Sequence, residues 1–175
     1  MLQRGMYPSL GVEPLSPRHD RAGFACGNSA LDDFIKTRAR KEQELGFSAI
    51  FVAIAELNSH VIVGYYSLSS HSINAQGIPP GVRKRFPRYP AVPTTLLGRL
   101  ARSLEFRGQR VGEFLLLDAL SRALQSSEHV GSYAVVVDAI DTAAISFYAK
   151  YGFLPTEDHP DRLFLPIASI KSLGF

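Results

Sequence analysis

The apolar run from Tyr133 to Ala139 constrains the fold more than any other part of this 175-residue chain. Its nearly unbroken apolar character is typical of a strand that is buried on both faces of a sheet. Helical periodicity precedes the run from Gln109 to Leu124 and follows it from Thr142 to Tyr151. A strand of this kind between two helices predicts an α/β chain with a mixed central sheet and helices packed on it.

The other segments extend this predicted sheet. Ser29 and Asp32 have the spacing of a capping box, which predicts a helix that begins there and ends at Gly46. Six further β-rich runs are predicted strands, of which the second and third form a hairpin: Val12–Leu15, Ala49–Ala55, Val61–Leu68, Thr94–Leu104, Phe153–Leu154 and Leu163–Ile167. The element order is therefore roughly β-α-β-β-β-α-β-α-β, in which the last β stands for the two short closing runs.

Residues 73–93 are predicted to be largely loop, because they contain five prolines and two glycines. This loop also holds a cluster of basic residues next to aromatic ones, namely Arg83, Lys84, Arg85 and Arg88. A second basic group lies on the first predicted helix and consists of Arg38, Arg40 and Lys41. Each group alone is typical of solvated surface, but the two groups and a basic turn described next favour a phosphate-bearing partner.

The composition predicts one globular domain over residues 1–175, with a loose start over about the first ten residues. No apolar run reaches the roughly 18 residues that span a bilayer, and the N-terminus lacks the apolar core of a secretory signal. We therefore expect a cytoplasmic protein without a membrane partner. The single cysteine, Cys26, excludes an internal disulfide and favours a buried apolar role over a nucleophilic one. No spacing of histidines and cysteines indicates a metal site.

The segment Leu97–Leu117 predicts a strand, a turn rich in arginine and glycine, and the start of an apolar helix. Backbone N–H groups at such a helix start point outward at the positive end of the helix dipole. The turn is therefore a candidate anion site, of the kind most often used for phosphate. A plain helix start with surface arginines is the alternative for this segment taken alone.

Two segments resemble the GNAT superfamily of N-acetyltransferases. Arg107 and Gly112 match the outer positions of the family's acetyl-CoA signature, and Ala144–Phe153 matches every position of the family pattern A-x-x-F-Y-x-x-x-G-F. The resemblance implies the GNAT fold with a splayed strand pair, acetyl-CoA as the cofactor, and Tyr148 as the acid that protonates the departing thiolate. It also implies a set of cofactor-binding residues: Leu100, Ala101, Arg102, Arg107, Gly108, Gln109, Arg110, Val111, Gly112, Glu113 and Phe147.

Two properties of these residues bear on the implied chemistry. Arg110 stands where the signature has its central glycine, and a side chain is tolerable there when φ is negative. Arginine also adds a charge that phosphate favours. Tyr148 carries a phenol with an ordinary pKa near 10, so it is mostly protonated at neutral pH and can serve as an acid.

The N-terminal half of the chain is similar to the GNAT toxins of bacterial toxin–antitoxin modules, and the resemblance extends over about residues 24–167. It rests on the segment Phe24–Phe34 with the basic helix after it, and on the basic proline-rich loop that continues into Leu97–Ala101. The resemblance implies acetylation of the α-amino group of aminoacyl-tRNA, which blocks translation, together with a homodimer and a small ribbon-helix-helix antitoxin. The residues expected to hold the tRNA are Arg83, Lys84, Arg85, Arg88, Arg99, Arg38 and Lys41.

The chemistry of the acceptor is compatible with this interpretation. An α-amino group has a pKa near 7.7–8.0 and is already partly neutral at pH 7, whereas a lysine amine is almost wholly protonated. Two alternatives remain open at this stage. One is an acetyltransferase that acts on a small amine or a protein N-terminus. The other is a protein without activity, in which Arg110 marks a degenerate acetyl-CoA-binding module.

Overall fold

The computed structural model of the protein describes residues 10–175. Its strands, numbered in chain order, are β1 (Gly11–Pro14), β2 (Ala49–Ile54), β3 (Gly64–Asn74), β4 (Ala91–Arg102), β5 (Ala134–Asp138), β6 (Leu154–Pro155) and β7 (Arg162–Pro166). Its α-helices are α1 (Ser29–Asp33), α2 (Ala39–Glu44), α3 (Pro80–Arg83), α4 (Val111–Ser127), α5 (Thr142–Lys150) and α6 (Ile167–Lys171). The predicted loose start falls on residues 1–9, which lie outside this range.

The strands form a mixed sheet in the order β1-β2-β3-β4-β5-β7-β6. β1, β2 and β3 pair antiparallel, β4 and β5 pair parallel, and β7 pairs antiparallel with both β5 and β6. β5 lies between two neighbours, and its side chains from Ala134 to Val137 are buried. The predicted mixed α/β sheet around this strand is therefore confirmed.

The chain divides into two compact units. The first contains the described residues up to Ser69 together with Gly98–Leu120. Its core joins the first helical region to β2 and β3, and it consists of Leu15, Phe24, Phe34, Ile35, Ala39, Ile50, Val52, Ile54, Ile62, Tyr65 and Ala101. Tyr65 fixes the helix to the sheet, because its ring stacks on Phe34 with centroids 6.1 Å apart and its hydroxyl donates to the Leu31 carbonyl at 2.7 Å.

The second unit contains Ser70–Leu97 and Ser121–Phe175. Its core consists of Ile73, Ala75, Ile78, Val92, Ala134, Val136 and Phe164. Four partly buried side chains pack against this core, namely Val82, Phe86, Leu96 and Tyr133. Phe86 meets Tyr133 edge to face, with ring centroids 4.6 Å apart, so the loop of residues 80–90 is anchored by an aromatic contact.

Several predicted boundaries are wrong. Asn28, rather than Ser29, caps the first helix, because its side-chain oxygen accepts from the backbone N–H groups of Ala30 and Leu31. The Asp32 carboxylate instead accepts from the Cys26 N–H at 2.8 Å. Between α1 and α2 the helix widens into a π-helical segment, Phe34–Arg38, which periodicity does not reveal.

The predicted loop at residues 73–93 is shorter in the structure. β3 continues to Asn74 and β4 begins at Ala91, and the Ala75 N–H donates to the Pro90 carbonyl at 2.9 Å. Proline at the first position of α3 also favours a helical turn there, since that position needs no N–H donor. At the C-terminal end, β7 stops at Pro166, and an unpredicted helix α6 follows with Ile167 and Ile170 buried.

Gly64 allows β3 to approach β4 and α4 closely. A Cβ at this position would lie 2.7 Å from Leu115 Cδ1 and 2.8 Å from the Ala101 carbonyl oxygen. Gly64→Ala is therefore expected to lower the free energy of unfolding by about 1–3 kcal/mol, as overpacking of a core does. Urea unfolding measures this change. Gly81→Ala is the matched control, since a Cβ there meets nothing within 4 Å, and an equal loss in both variants would contradict the argument.

In the described part of the chain, no helix is long and apolar enough to cross a membrane.

Candidate functional site

The turn before α4 has the backbone of an anion site. The segment Leu104–Phe106 forms a single 3₁₀ turn after β4, and α4 then begins at the buried residue Val111. Gly108 has a φ of +80°, and a Cβ there would meet nothing within 4 Å. The first N–H groups of a helix have no partner within the helix, so those at the start of α4 are available to an anionic group in this open turn.

Arg110 does not meet the condition of a negative φ under which a side chain is readily tolerated at this position. Its φ is +56°, the left-handed conformation that a glycine would adopt at no steric cost. A non-glycine residue held there costs about 1 kcal/mol or more. This geometry also explains why α4 begins at Val111 instead of Gln109, because a left-handed residue cannot belong to the helix.

The Arg110 guanidinium is held by Glu113 on the first turn of α4. Its Nε donates to one carboxylate oxygen at 2.7 Å, and its Nη2 donates to the other at 2.8 Å. The sequence predicts that the positive charge of Arg110 favours a phosphate. In this structure that charge is paired with the Glu113 carboxylate. The Arg107 and Gln109 side chains are exposed on the same turn.

The end of β4 carries the residues predicted to lie along the pantetheine arm, Leu100, Ala101 and Arg102. Among the described residues, the paired register of β4 and β5 ends at Leu96↔Val136, although both strands continue. Arg102 Nη1 is buried, and no acceptor for it is found in residues 10–175. A strand end without a partner on β5 and a buried guanidinium nitrogen without an acceptor both fit a polar, phosphate-bearing cofactor such as acetyl-CoA.

Tyr148 lies in the second unit, on the short helix α5. Asp141 begins this helix by accepting from the Ala144 N–H at 2.7 Å, and Gly152 ends it with a φ of +92°. The Tyr148 ring packs against Phe147 and Phe153, with centroids 5.2 and 5.3 Å away. Only 8% of the residue is exposed. The cap and the left-handed glycine therefore place Tyr148 on a short helix, and packing against neighbouring rings buries it.

The environment of the Tyr148 hydroxyl keeps it protonated. Burial raises its pKa above the ordinary value of 10, because a phenolate loses its hydration there. No residue in the described range is hydrogen-bonded to this hydroxyl. The group therefore holds its proton at neutral pH and has no fixed partner in the described part of the chain, as expected of an acid that serves a bound molecule.

The Cys26 thiol is not activated as a nucleophile. Burial and the nearby Asp32 side chain raise the pKa of its thiol to about 11, so little thiolate forms near pH 7. Its Sγ lies 3.7 Å from the Asn28 carbonyl, to which it donates. A structural role at the start of the first helix fits these contacts.

The basic loop, residues 80–90, contains four cationic side chains. One of them is held by hydrogen bonds to neighbouring residues, and the other three form no ion pair with the described residues. Arg83 donates to the Gln76 side chain at 2.8 Å and to the Ala75 carbonyl at 3.4 Å, so it stabilises the loop. Lys84, Arg85 and Arg88 are exposed, and none of them forms an ion pair with any described residue. The loop thus presents three uncompensated positive charges on a base fixed by Phe86.

In the first unit, Arg99 contacts the π-helical segment. Its guanidinium lies 3.5 Å from the centroid of the buried Phe34 ring, and Arg38 lies 5.4 Å from the same ring. Arg99 Nη1 is also 3.9 Å from a carboxylate oxygen of Glu42. The structure therefore brings together two predicted tRNA-binding residues, Arg38 and Arg99, whereas Lys41 is exposed on α2. The Phe34–Arg99 contact has no sequence signal, because the two residues meet only through the fold.

The chain is similar to two bacterial proteins named as toxins over almost its whole length. It is 32% identical over 170 residues to a probable toxin TacT of Sinorhizobium fredii, and the match covers 93% of each chain. It is 31% identical over 159 residues to a tRNA-acetylating toxin of Mycobacterium tuberculosis, covering 91% of this chain and 93% of the toxin.

Solved structures show the same fold. The toxin AtaT complexed with acetyl-methionyl-tRNAfMet superposes with a TM-score of 0.88 and 27% identity, over 95% of this chain and 99% of that one. A mutant of AtaT bound to the C-terminus of the antitoxin AtaR and to acetyl-CoA gives a TM-score of 0.79 and 25% identity, over 94% and 97% of the two chains.

These similarities agree with the motifs in the sequence. A profile of the acetyltransferase (GNAT) family matches residues 26–153, a range that contains both the turn before α4 and Tyr148. The acyltransferase activity and the acetyl-CoA cofactor expected from the motifs are those of this family. By the extent of the match and the identity to its relatives, the chain belongs to the acetyltransferase (GNAT) family.

Proposed function

We propose that this acetyltransferase transfers the acetyl group of acetyl-CoA to the α-amino group of aminoacyl-tRNA and thereby blocks translation as a toxin. The observation that carries the proposal is the basic loop, where Lys84, Arg85 and Arg88 are exposed and have no carboxylate partner within residues 10–175. Uncompensated cations of this kind bind phosphates with little dependence on sequence. A relative named as a tRNA-acetylating toxin and the AtaT complex with acetylated methionyl-tRNA support the same acceptor.

Residues 1–175 are proposed to act as one domain, and most of the proposed cofactor contacts lie in the first unit. Backbone N–H groups at the start of α4, together with Arg107 and Arg110, are proposed to bind the cofactor phosphates. Main-chain groups of Leu100, Ala101 and Arg102 are proposed to hold the pantetheine arm, as an added strand would be held. The remaining proposed cofactor contacts are Gly108, Gln109, Val111, Gly112, Glu113 and Phe147.

The proposed reaction needs an acetyl donor, an acid and a neutral amine. Bound acetyl-CoA supplies an activated acetyl thioester. Tyr148 is proposed to be the catalytic acid, because burial keeps its hydroxyl protonated where a leaving group needs a proton. The acceptor amine loses a proton on acetylation, and an aminoacyl α-amine is partly neutral at pH 7 without a strong base in the protein.

Further proposed tRNA contacts come from the first unit. Arg38, Arg99 and Lys41 are proposed to add to the contacts of the basic loop, with Arg83 in a supporting role through its hydrogen bonds to residues 75 and 76. The guanidinium of Arg99 is already oriented by the Phe34 ring, so little side-chain entropy is lost when it binds. Because charged tRNA is consumed by ribosomes, we propose that the protein acts in the cytoplasm.

We also propose that the toxin forms a homodimer and is neutralised by a small ribbon-helix-helix antitoxin. The support is the similarity to AtaT, which was solved bound to the C-terminus of the antitoxin AtaR. Co-expression with the product of a small open reading frame found next to the toxin gene tests this proposal, since a stable complex and restored growth are expected. Growth arrest that persists in the presence of that partner would contradict it.

Cell-free translation tests the toxin activity. Addition of the protein with acetyl-CoA is expected to stop peptide synthesis, and addition with CoA alone is expected to leave it unchanged. Fresh aminoacyl-tRNA added afterwards, once the protein has been removed, should restore synthesis. Full synthesis in the presence of protein and acetyl-CoA would contradict the proposal and favour a small amine or a protein N-terminus as the acceptor.

The raised pKa of Tyr148 predicts the pH dependence of the reaction. An acid loses its function only above its pKa, so burial moves the alkaline decline of kcat to higher pH. As the acceptor amine becomes neutral, kcat is expected to rise up to about pH 8 and then to stay level to about pH 9.5. Initial rates corrected for ester hydrolysis measure the profile. A decline that begins below about pH 9 would be inconsistent with Tyr148 as the acid.

A further inference from the structure

In the turn before α4, Arg110 adopts a backbone conformation typical of glycine, and its side chain forms an ion pair with Glu113. Arg110 has a left-handed φ of +56°, and its guanidinium donates two parallel hydrogen bonds, of 2.7 and 2.8 Å, to the Glu113 carboxylate. Bidentate pairs between arginine and a carboxylate are strong and fix the geometry of both side chains. Arg110 thus keeps a backbone conformation that suits glycine and is unfavourable for arginine, and its side chain is held by Glu113.

The position of Glu113 explains why a cation is needed. Its carboxylate lies in the first turn of α4, where the positive end of the helix dipole attracts an anion. The same helix start is where the cofactor phosphates are proposed to bind, so an uncompensated carboxylate there would repel them. Only 17% of the Glu113 side chain is exposed, so solvent screens this charge less than it screens the half-exposed Arg110.

We propose that Arg110 and Glu113 are a compensated pair that determines the affinity for the diphosphate of the cofactor. Arg110 cancels the Glu113 carboxylate and offers its half-exposed guanidinium to a phosphate oxygen. A glycine at position 110, although it matches the family signature and relieves the unfavourable φ, therefore weakens cofactor binding while Glu113 is present. This inference rests on the proposed function only through the use of acetyl-CoA and is independent of the acceptor.

A double-mutant cycle on acetyl-CoA affinity tests the pair. Calorimetric Kd values are measured at low salt for the wild type, Arg110→Gly, Glu113→Gln and the double variant. We expect about fivefold weaker binding for Arg110→Gly and about threefold tighter binding for Glu113→Gln. The double variant is expected to bind within about twofold of Glu113→Gln and hence more tightly than the wild type, whereas uncoupled effects would leave it about twofold weaker than the wild type. Arg110→Gly that binds as tightly as the wild type, or single effects that add without coupling, would overturn the proposal.

Three further measurements exclude trivial outcomes. The unfolding temperature of each variant without cofactor shows whether it folds. Arg110→Lys keeps the charge but loses the bidentate geometry, so its Kd for acetyl-CoA is expected to lie between those of the wild type and Arg110→Gly. CoA lacking its 3′-phosphate should give the same ratios of Kd as CoA, because the diphosphate is unchanged. Ratios that collapse to one with this probe would assign the pair to the 3′-phosphate and overturn the assignment made here.

Failure of the two proposals can be told apart. If the wild type binds acetyl-CoA and the cycle shows the expected coupling, but no acetyl group reaches tRNA, only the acceptor proposal falls. If tRNA is acetylated and the cycle shows no coupling, only the pair proposal falls. A wild type that does not bind acetyl-CoA would overturn both.

Discussion

Replacing Tyr148 by phenylalanine is expected to lower kcat for aminoacyl-tRNA by about 10²-fold or more, which is the usual contribution of a positioned general acid. The Kd for acetyl-CoA and the unfolding temperature should stay close to those of the wild type. The ring contacts with Phe147 and Phe153 are kept, and the hydroxyl has no hydrogen-bond partner among the described residues. Only the proton that the phenol supplies is removed.

Steady-state acetylation of charged tRNA measures this effect, and calorimetry and thermal unfolding provide the comparison. Tyr151→Phe is a matched control, since Tyr151 lies immediately after the same helix and is only partly buried. Its kcat is expected to stay within about twofold of the wild type. Turnover by Tyr148→Phe at the wild-type rate would remove Tyr148 from the proposed catalytic role.

Replacing Lys84, Arg85 and Arg88 together by alanine is expected to raise the KM for charged tRNA by about tenfold or more at moderate ionic strength. The dependence of log(kcat/KM) on log salt concentration should also become shallower by about 2–3, because up to three phosphate contacts are lost. Arg83 is excluded from this variant, since its hydrogen bonds to Gln76 and the Ala75 carbonyl support the loop. The Kd for acetyl-CoA should not change.

The matched control removes three exposed lysines at other places, Lys36, Lys150 and Lys171, which lowers the net charge by the same amount. This control should keep the wild-type salt dependence within about one unit of slope. Equal losses in both triple variants would indicate a general charge effect and contradict a tRNA contact at the basic loop.

The parts of the fold and site that were predicted correctly depend on local signals. The apolar run around Val135 predicts a buried central strand whatever surrounds it. The helix that carries Tyr148 begins at a capping Asp141 and ends at Gly152, and both signals lie within a dozen residues of the tyrosine. Local sequence therefore determined the position of Tyr148 on a helix, whereas its burial depends on how that helix packs.

The features that were missed depend on residues far apart in the chain. Phe34 and Arg99 are 65 positions apart in sequence, and their contact exists only because β4 packs near the first helix. The φ of Arg110 could not be read from its residue type, which disfavours the left-handed region. Likewise, only the position of Gln76 in the fold shows that Arg83 is held by a hydrogen bond, unlike the other three cations of the basic loop.

Transfer of radiolabel from acetyl-CoA to total charged bacterial tRNA tests the central claim most directly. Uncharged tRNA and tRNA whose aminoacyl ester has been hydrolysed are the controls. We predict label in the charged tRNA alone, released by mild alkali as an N-acetylated amino acid. A protein that binds acetyl-CoA but leaves charged tRNA unlabelled, or that labels all three preparations equally, would contradict acetylation of the aminoacyl α-amine.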